Sequence, residues 1–122
     1  MKQKKILDSK IELTATCVRI PVMVSNSESL NIEFEKPFDL EKIRDALENA
    51  EGCKVIDERK DGGYITPVEA AGKNETFISR IRKDVSNDKA INMWVVSDNL
   101  LKGAALNTVQ IAEELIKKYY GK

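Results

Sequence analysis

Two thiols, an arginine set in an apolar run and a scatter of carboxylates are the groups in this sequence that could do chemistry. Cys17 and Cys53 are the only cysteines, and a nucleophilic cysteine needs a histidine, a helix N-terminus or a glycine-rich turn to stabilise its thiolate. Neither has such a neighbour in sequence, so both read as structural. The chain contains no histidine, which removes the commonest general base near neutral pH and the commonest zinc ligand together. Arg19 stands inside TATCVRIPV, Thr14 to Val22. A guanidinium there must reach solvent, pair with an acidic residue elsewhere in the fold, or fork onto an anion such as a substrate carboxylate. Glu33 and Glu35 fall on one strand face and Glu113 and Glu114 on a surface-like part of a helix, an arrangement that gives no support to paired acid/base work. Asp98 and Asn99 precede an alanine-rich run. A side-chain amide and free N–H groups at a helix start suit an amide- or anion-bearing ligand, and an ordinary helix cap accounts for the same residues.

The elements that must position these groups follow from periodicity. Ile11 to Val24 alternates so that Thr16, Val18, Ile20 and Val22 share one face and Cys17, Arg19 and Pro21 the other, which predicts a strand with proline near an edge, bulge or end. After the polar break Ser25-Asn26-Ser27, alternation of Leu30, Ile32 and Phe34 predicts a half-exposed strand over Ser29 to Glu35. Asp39 is placed to cap a helix reaching Ala50, with Leu40, Ile43, Ala46 and Leu47 at helical spacing and Gly52 as its stop. Cys53 to Ile56 reads as a short strand, Asp57 to Gly63 as a solvated loop, and Thr76 to Arg82 with Ile91 to Ser97 as a hairpin. The last element is a helix over Asn99 to Tyr119 with an apolar stripe through Thr108, Ile111, Ala112, Leu115 and Tyr119. Its first turns, Gly103, Ala104 and Ala105, leave room for another backbone or a flat ligand. Together these predict an α+β fold: a mixed, largely antiparallel sheet of about five strands with helices packed on it.

Composition bounds the rest. With 42% hydrophobic and 33% charged residues over 122 positions, the chain falls in the range of a single domain with a modest core, residues 1–122. Twenty basic and twenty acidic residues cancel, so no net field recruits nucleic acid or an anionic membrane, and neither is expected as a partner. No apolar run follows Met1, and the setting expected for two unpatterned cysteines is the cytoplasm. There is no GxGxxG or Walker-type phosphate loop, and no metal site is expected.

Four stretches in order, TATCVRIPV at Thr14, YITPVEAAGKN at Tyr64, ISRIRKD at Ile78 and DNLLKGAALNTVQIAE at Asp98, resemble the aspartate-semialdehyde dehydrogenase family. The resemblance covers nearly the whole chain and implies the C-terminal part of the catalytic and dimerisation domain. The N-terminal NADP-binding Rossmann domain and the catalytic-cysteine segment are then expected to be absent. It further implies NADP-dependent interconversion of aspartyl phosphate and aspartate semialdehyde in amino-acid biosynthesis, by a complete member. Arg19 matches the arginine that binds the substrate carboxylate, a role suited to its fork of donors. Asn26 stands where the family has its acid/base histidine, and asparagine cannot exchange a proton near neutral pH. Lys2, in KQKKIL, falls at a family glutamate that helps to position substrate, reversing the charge. Asn99 falls at the amide position that lies against the cofactor. By this resemblance the isolated chain is expected to bind no cofactor on its own and to be inactive. It is expected to form a homodimer or to associate with an intact relative or an N-terminal fragment. The competing expectation is a non-catalytic dimerisation or interaction module.

Overall fold

The computed structural model describes residues 8–121. Four strands form one sheet among the described residues: β1 (Asn26–Glu33), β2 (Cys53–Val55), β3 (Thr76–Lys83) and β4 (Ala90–Ser97), in the order β1-β4-β3-β2. β4 runs antiparallel to both β1 and β3, while β2 joins β3 in parallel. The α+β class and the hairpin of β3 and β4 agree with the sequence; a count of about five does not, because Ile11 to Val24 makes no strand. Alternation reports which side chains favour an extended chain, whereas a strand also needs a neighbour to receive its N–H and C=O groups. Residues 11–21 are exposed throughout, and Val18 and Met23 retain 78% and 99% of their accessible surface.

Apolar residues on both faces of the sheet are covered. On one face Ile78, Ile81, Ile91 and Met93 are buried beneath α1 (Leu40–Glu48), with Leu40, Ile43 and Leu47 turned towards them. Asp39 caps α1, its carboxylate accepting from the Glu41 amide at 3.0 Å. Cys53 packs in this layer as expected, but Cys17 lies exposed and contributes nothing to a core. On the other face Phe77 and Val96 pack with Ile65 and Ala70. The Ile65 backbone is pinned there: its N–H donates to Ser79 Oγ at 3.2 Å and its C=O accepts from Trp94 Nε1 at 3.0 Å. This anchors α2 (Pro67–Ala70), a single turn started by Thr66 and Glu69 in a reciprocal capping box.

The final helix departs furthest from expectation. A π-helical turn at Leu101–Ala105 leads into α3 (Leu106–Tyr119), none of whose residues is buried. Its half-buried residues are Leu106, Asn107 and Gln110. Val109, Ile111, Leu115, Ile116 and Tyr119, by contrast, are 50–65% exposed. The amphipathic pattern is present, yet the apolar arc faces away from the sheet rather than packing on it.

Candidate functional site

Of the residues singled out by sequence, Asn26, Asp98 and Asn99 meet at one end of the sheet, where β1 starts and β4 stops. Asn26 is the first residue of β1 and pairs with Ser97, the last of β4. Asp98 and Asn99 follow directly. Asp98 is 3% exposed, and its carboxylate accepts three backbone N–H groups: Leu100 at 2.7 Å, Leu101 at 3.0 Å and, across the fold, Gly72 at 2.7 Å. The Gly72 amide, followed by those of Leu100 and Leu101, holds this carboxyl below its ordinary range against the opposing effect of burial. Asp98 is thus the cap of the following turn. The first amides of that turn are already occupied by it, which corrects the reading of free helix-start N–H groups available to an anion.

Asn99 is tied to the turn that carries Asn26. Ser25 is 6% exposed and sits at φ +86°, a left-handed conformation uncommon for a residue with a side chain. Its N–H donates to Asn99 Oδ1 at 2.7 Å, and its hydroxyl donates to the Pro67 carbonyl at 2.9 Å. Sequence reasoning read Ser25 only as part of a polar break. The surrounding residues gave no signal of its positive φ, since serine, unlike glycine, does not advertise one.

Asn26 itself is exposed, and so is Arg19, which makes no hydrogen bond or ion pair among the described residues. No salt bridge among the described residues therefore accounts for Arg19 in its apolar run. Lys2 lies outside the described residues. Gly103, Ala104 and Ala105 form an exposed, nearly side-chain-free surface next to Asn99. A Cβ added at Gly103 would meet only Asn99 Cβ, at an ordinary 3.8 Å. The flatness of this surface is not imposed by the chain's own packing. No group of histidine, cysteine or carboxylate side chains suited to a metal ion occurs among the described residues, and no helix among them is long and apolar enough to cross a membrane.

Comparison with known proteins gives this geometry a context. Residues 1–102 match the family model of the semialdehyde dehydrogenase dimerisation domain. An aspartate-semialdehyde dehydrogenase of Rickettsia bellii is 47% identical over 119 residues, covering 98% of this chain and 35% of the relative. One from Aquifex aeolicus is 48% identical over 116 residues, or 94% of this chain and 34% of the relative. The chain therefore spans about a third of the length of the curated relatives it matches. Among solved structures, aspartate semialdehyde dehydrogenase II of Vibrio cholerae complexed with ASA superposes with a TM-score of 0.87 at 39% identity, covering 97% of this chain and 34% of that one. With a family model matched over most of its length and a shared fold at this identity, the chain belongs to the semialdehyde dehydrogenase dimerisation-domain family.

Proposed function

We propose that this chain is the dimerisation portion of an NADP-dependent aspartate-semialdehyde dehydrogenase and does not turn over by itself. The observation that carries the reading is the outward apolar arc of α3 together with the exposed stretch over residues 11–21, which joins no strand of the described sheet. Both have the chemistry of surfaces meant to be covered, and the portion of the relatives that this chain does not match is the natural cover, whether in the same polypeptide or on another.

Arg19, exposed and unpaired among the described residues, would bind the substrate carboxylate as a bidentate donor. Asn99 is the residue that would meet the nicotinamide end of NADP, and its geometry fits in one sense only. Oδ1 already accepts from Ser25, and Nδ2 remains as a donor to a carbonyl oxygen. The cofactor when bound accepts or supplies the hydride. Asn26 can hydrogen-bond to substrate but holds no proton that it could give or take near neutral pH. No phosphate-binding loop accompanies these residues. The family's partners and setting carry over in the same sense: a homodimer working in the cytoplasm.

The test is a hydride-transfer assay on the purified chain with NADP, phosphate and aspartate semialdehyde. The expected result is no change in absorbance of the reduced cofactor. Adding the portion of a full-length relative that this chain does not match, with its nucleotide-binding domain and catalytic cysteine, is expected to give slow turnover, raised by about 10²–10⁴-fold when Asn26→His restores an acid/base group. Turnover by the chain alone, or an Asn26→His variant no faster than its parent, overturns this assignment. The same outward arc also suits a non-catalytic interaction module. Association with an intact relative, seen by light scattering, without turnover in any mixture would favour that reading.

A further inference from the structure

We propose that Ser25 and Asn99 form a clamp that sets the direction of the side chain at position 26, which makes Asn99 a positioning residue for that site. The proposal rests on the reading of position 26 as the acid/base position.

Three restraints converge on one peptide. The Ser25 N–H is held by Asn99 Oδ1, the Ser25 hydroxyl by the Pro67 carbonyl, and one residue later Asn26 enters the sheet opposite Ser97. The far ends of these restraints are themselves fixed. Pro67 opens α2, which follows the pinned Ile65. Ser97 precedes Asp98, whose carboxylate locks both the Gly72 loop and the turn beyond Asn99. Ser25 is kept at φ +86° between them, a conformation that persists in a residue with a Cβ only where its surroundings over-determine it. A rotation of φ at Ser25 redirects everything that follows, beginning with the Cα–Cβ bond of residue 26. Removing the Asn99 amide would strand a buried N–H group and free that rotation. The side chain at 26, exposed and without a hydrogen bond of its own among the described residues, takes its aim from the backbone that these restraints and the pairing with Ser97 hold.

The absence of histidine from the sequence makes this directly readable. Asn26→His introduces a single imidazole whose proton resonances and titration midpoint report the surroundings of position 26. Adding Asn99→Ala is expected to shift that midpoint and broaden or split the imidazole resonances. Exchange of the Ser25 amide with solvent is expected to become at least tenfold faster, while the amides of Ile91 and Val96 stay protected. Asn99→Asp, which keeps an acceptor at Oδ1, is expected to preserve Ser25 protection. An unchanged imidazole and an unchanged Ser25 amide in Asn99→Ala overturn the clamp. Should that variant lose protection throughout the sheet, Asn99→Gln takes its place, and an intact fold with an unmoved imidazole in that variant overturns the clamp equally. None of these readouts involves turnover, so failure of the reconstituted dehydrogenase assay would sink the functional reading separately.

Discussion

Asp57 shows how much of this fold hangs on single carboxylates. Its side chain is 3% exposed and meets the Arg44 guanidinium at 2.5 Å, with Arg59 at 3.7 Å. It also accepts the backbone N–H groups of Arg80 and Ile81 at 2.6 and 3.3 Å. Those amides need a partner because β3 bulges there: the register against β4 jumps between Ser79 and Arg82, with Arg80 at φ +55°. Burial pushes the Asp57 carboxyl up, but the Arg44 and Arg80 bonds and the two guanidinium charges outweigh it and leave it lowered. Asp57→Ala is expected to cost about 3 kcal/mol, read from urea unfolding, because it strands the half-buried Arg44 guanidinium and two amides at once. Asp84 is held at about 2 by the Ser86 hydroxyl and amide and by Asn31 and Asn92, and Asp98 and Glu69 are lowered as well. The sign follows from linkage. Carboxyls with lowered pKa in the folded chain add stability above their unfolded values, near 4, and lose it as pH falls through the folded ones. With no histidine to titrate, the urea midpoint is expected to stay flat from about pH 5 to 8 and to drop steadily from about pH 4 to 2. A midpoint that rises on acidification would contradict these assignments.

At the scale of elements, Gly63 closes the loop that delivers Asp57 to the bulge. Its carbonyl accepts from the Glu58 amide at 2.9 Å, and a Cβ placed on it would lie 2.3 Å from the Glu58 carbonyl oxygen. Gly63→Ala is expected to destabilise by about 1–3 kcal/mol, as overpacking against backbone does, whereas Gly62→Ala meets no neighbour and is strained only by φ +69°. Calorimetry on the two variants should rank them in that order. Both glycines were legible only as a turn. Elements with local determinants were legible in outline: α1 from Asp39 and the spacing of Leu40, Ile43 and Leu47, and the hairpin, without its bulge, from two strand-forming runs on either side of the polar turn Asp84 to Lys89. The capping box at Thr66 and Glu69 carries its signature in the sequence, but one turn is too short to show periodicity. At the candidate site, the motifs around Arg19, Asn26 and Asn99 mark these residues as candidates. The bond from Ser25 to Asn99 spans 74 positions, and no local pattern encodes a contact of that separation.

For the molecule as a whole, the two surfaces that defeat a reading by periodicity are the two that an isolated domain has least reason to possess. The run before β1 alternates like a strand yet joins no strand of the described sheet, and α3 is amphipathic with its apolar residues exposed. Lys102 Nζ on the preceding turn donates to Gln110 Oε1 at 2.8 Å, and Glu51 and Glu113 join the i,i+3 partner Glu114 in raising the Lys117 pKa. The polar flank of the helix is thus engaged with its own chain while Leu115 and Ile116 stay 50% and 57% exposed. A stripe evolved only to hold the helix onto this sheet would have the opposite orientation. Substituting Leu115→Lys together with Tyr119→Lys distinguishes the two cases. If the arc is a docking surface, the melting temperature of the chain alone should hardly move, because exposed substitutions stay within about 0.5 kcal/mol. Binding to the nucleotide-binding portion of a full-length relative, measured by calorimetric titration, should weaken by roughly tenfold or more, since a Leu side chain alone contributes about 1.5–3 kcal/mol when buried. A large fall in melting temperature with unaltered binding would place the arc against the chain's own sheet in solution and remove the support it lends to a larger assembly.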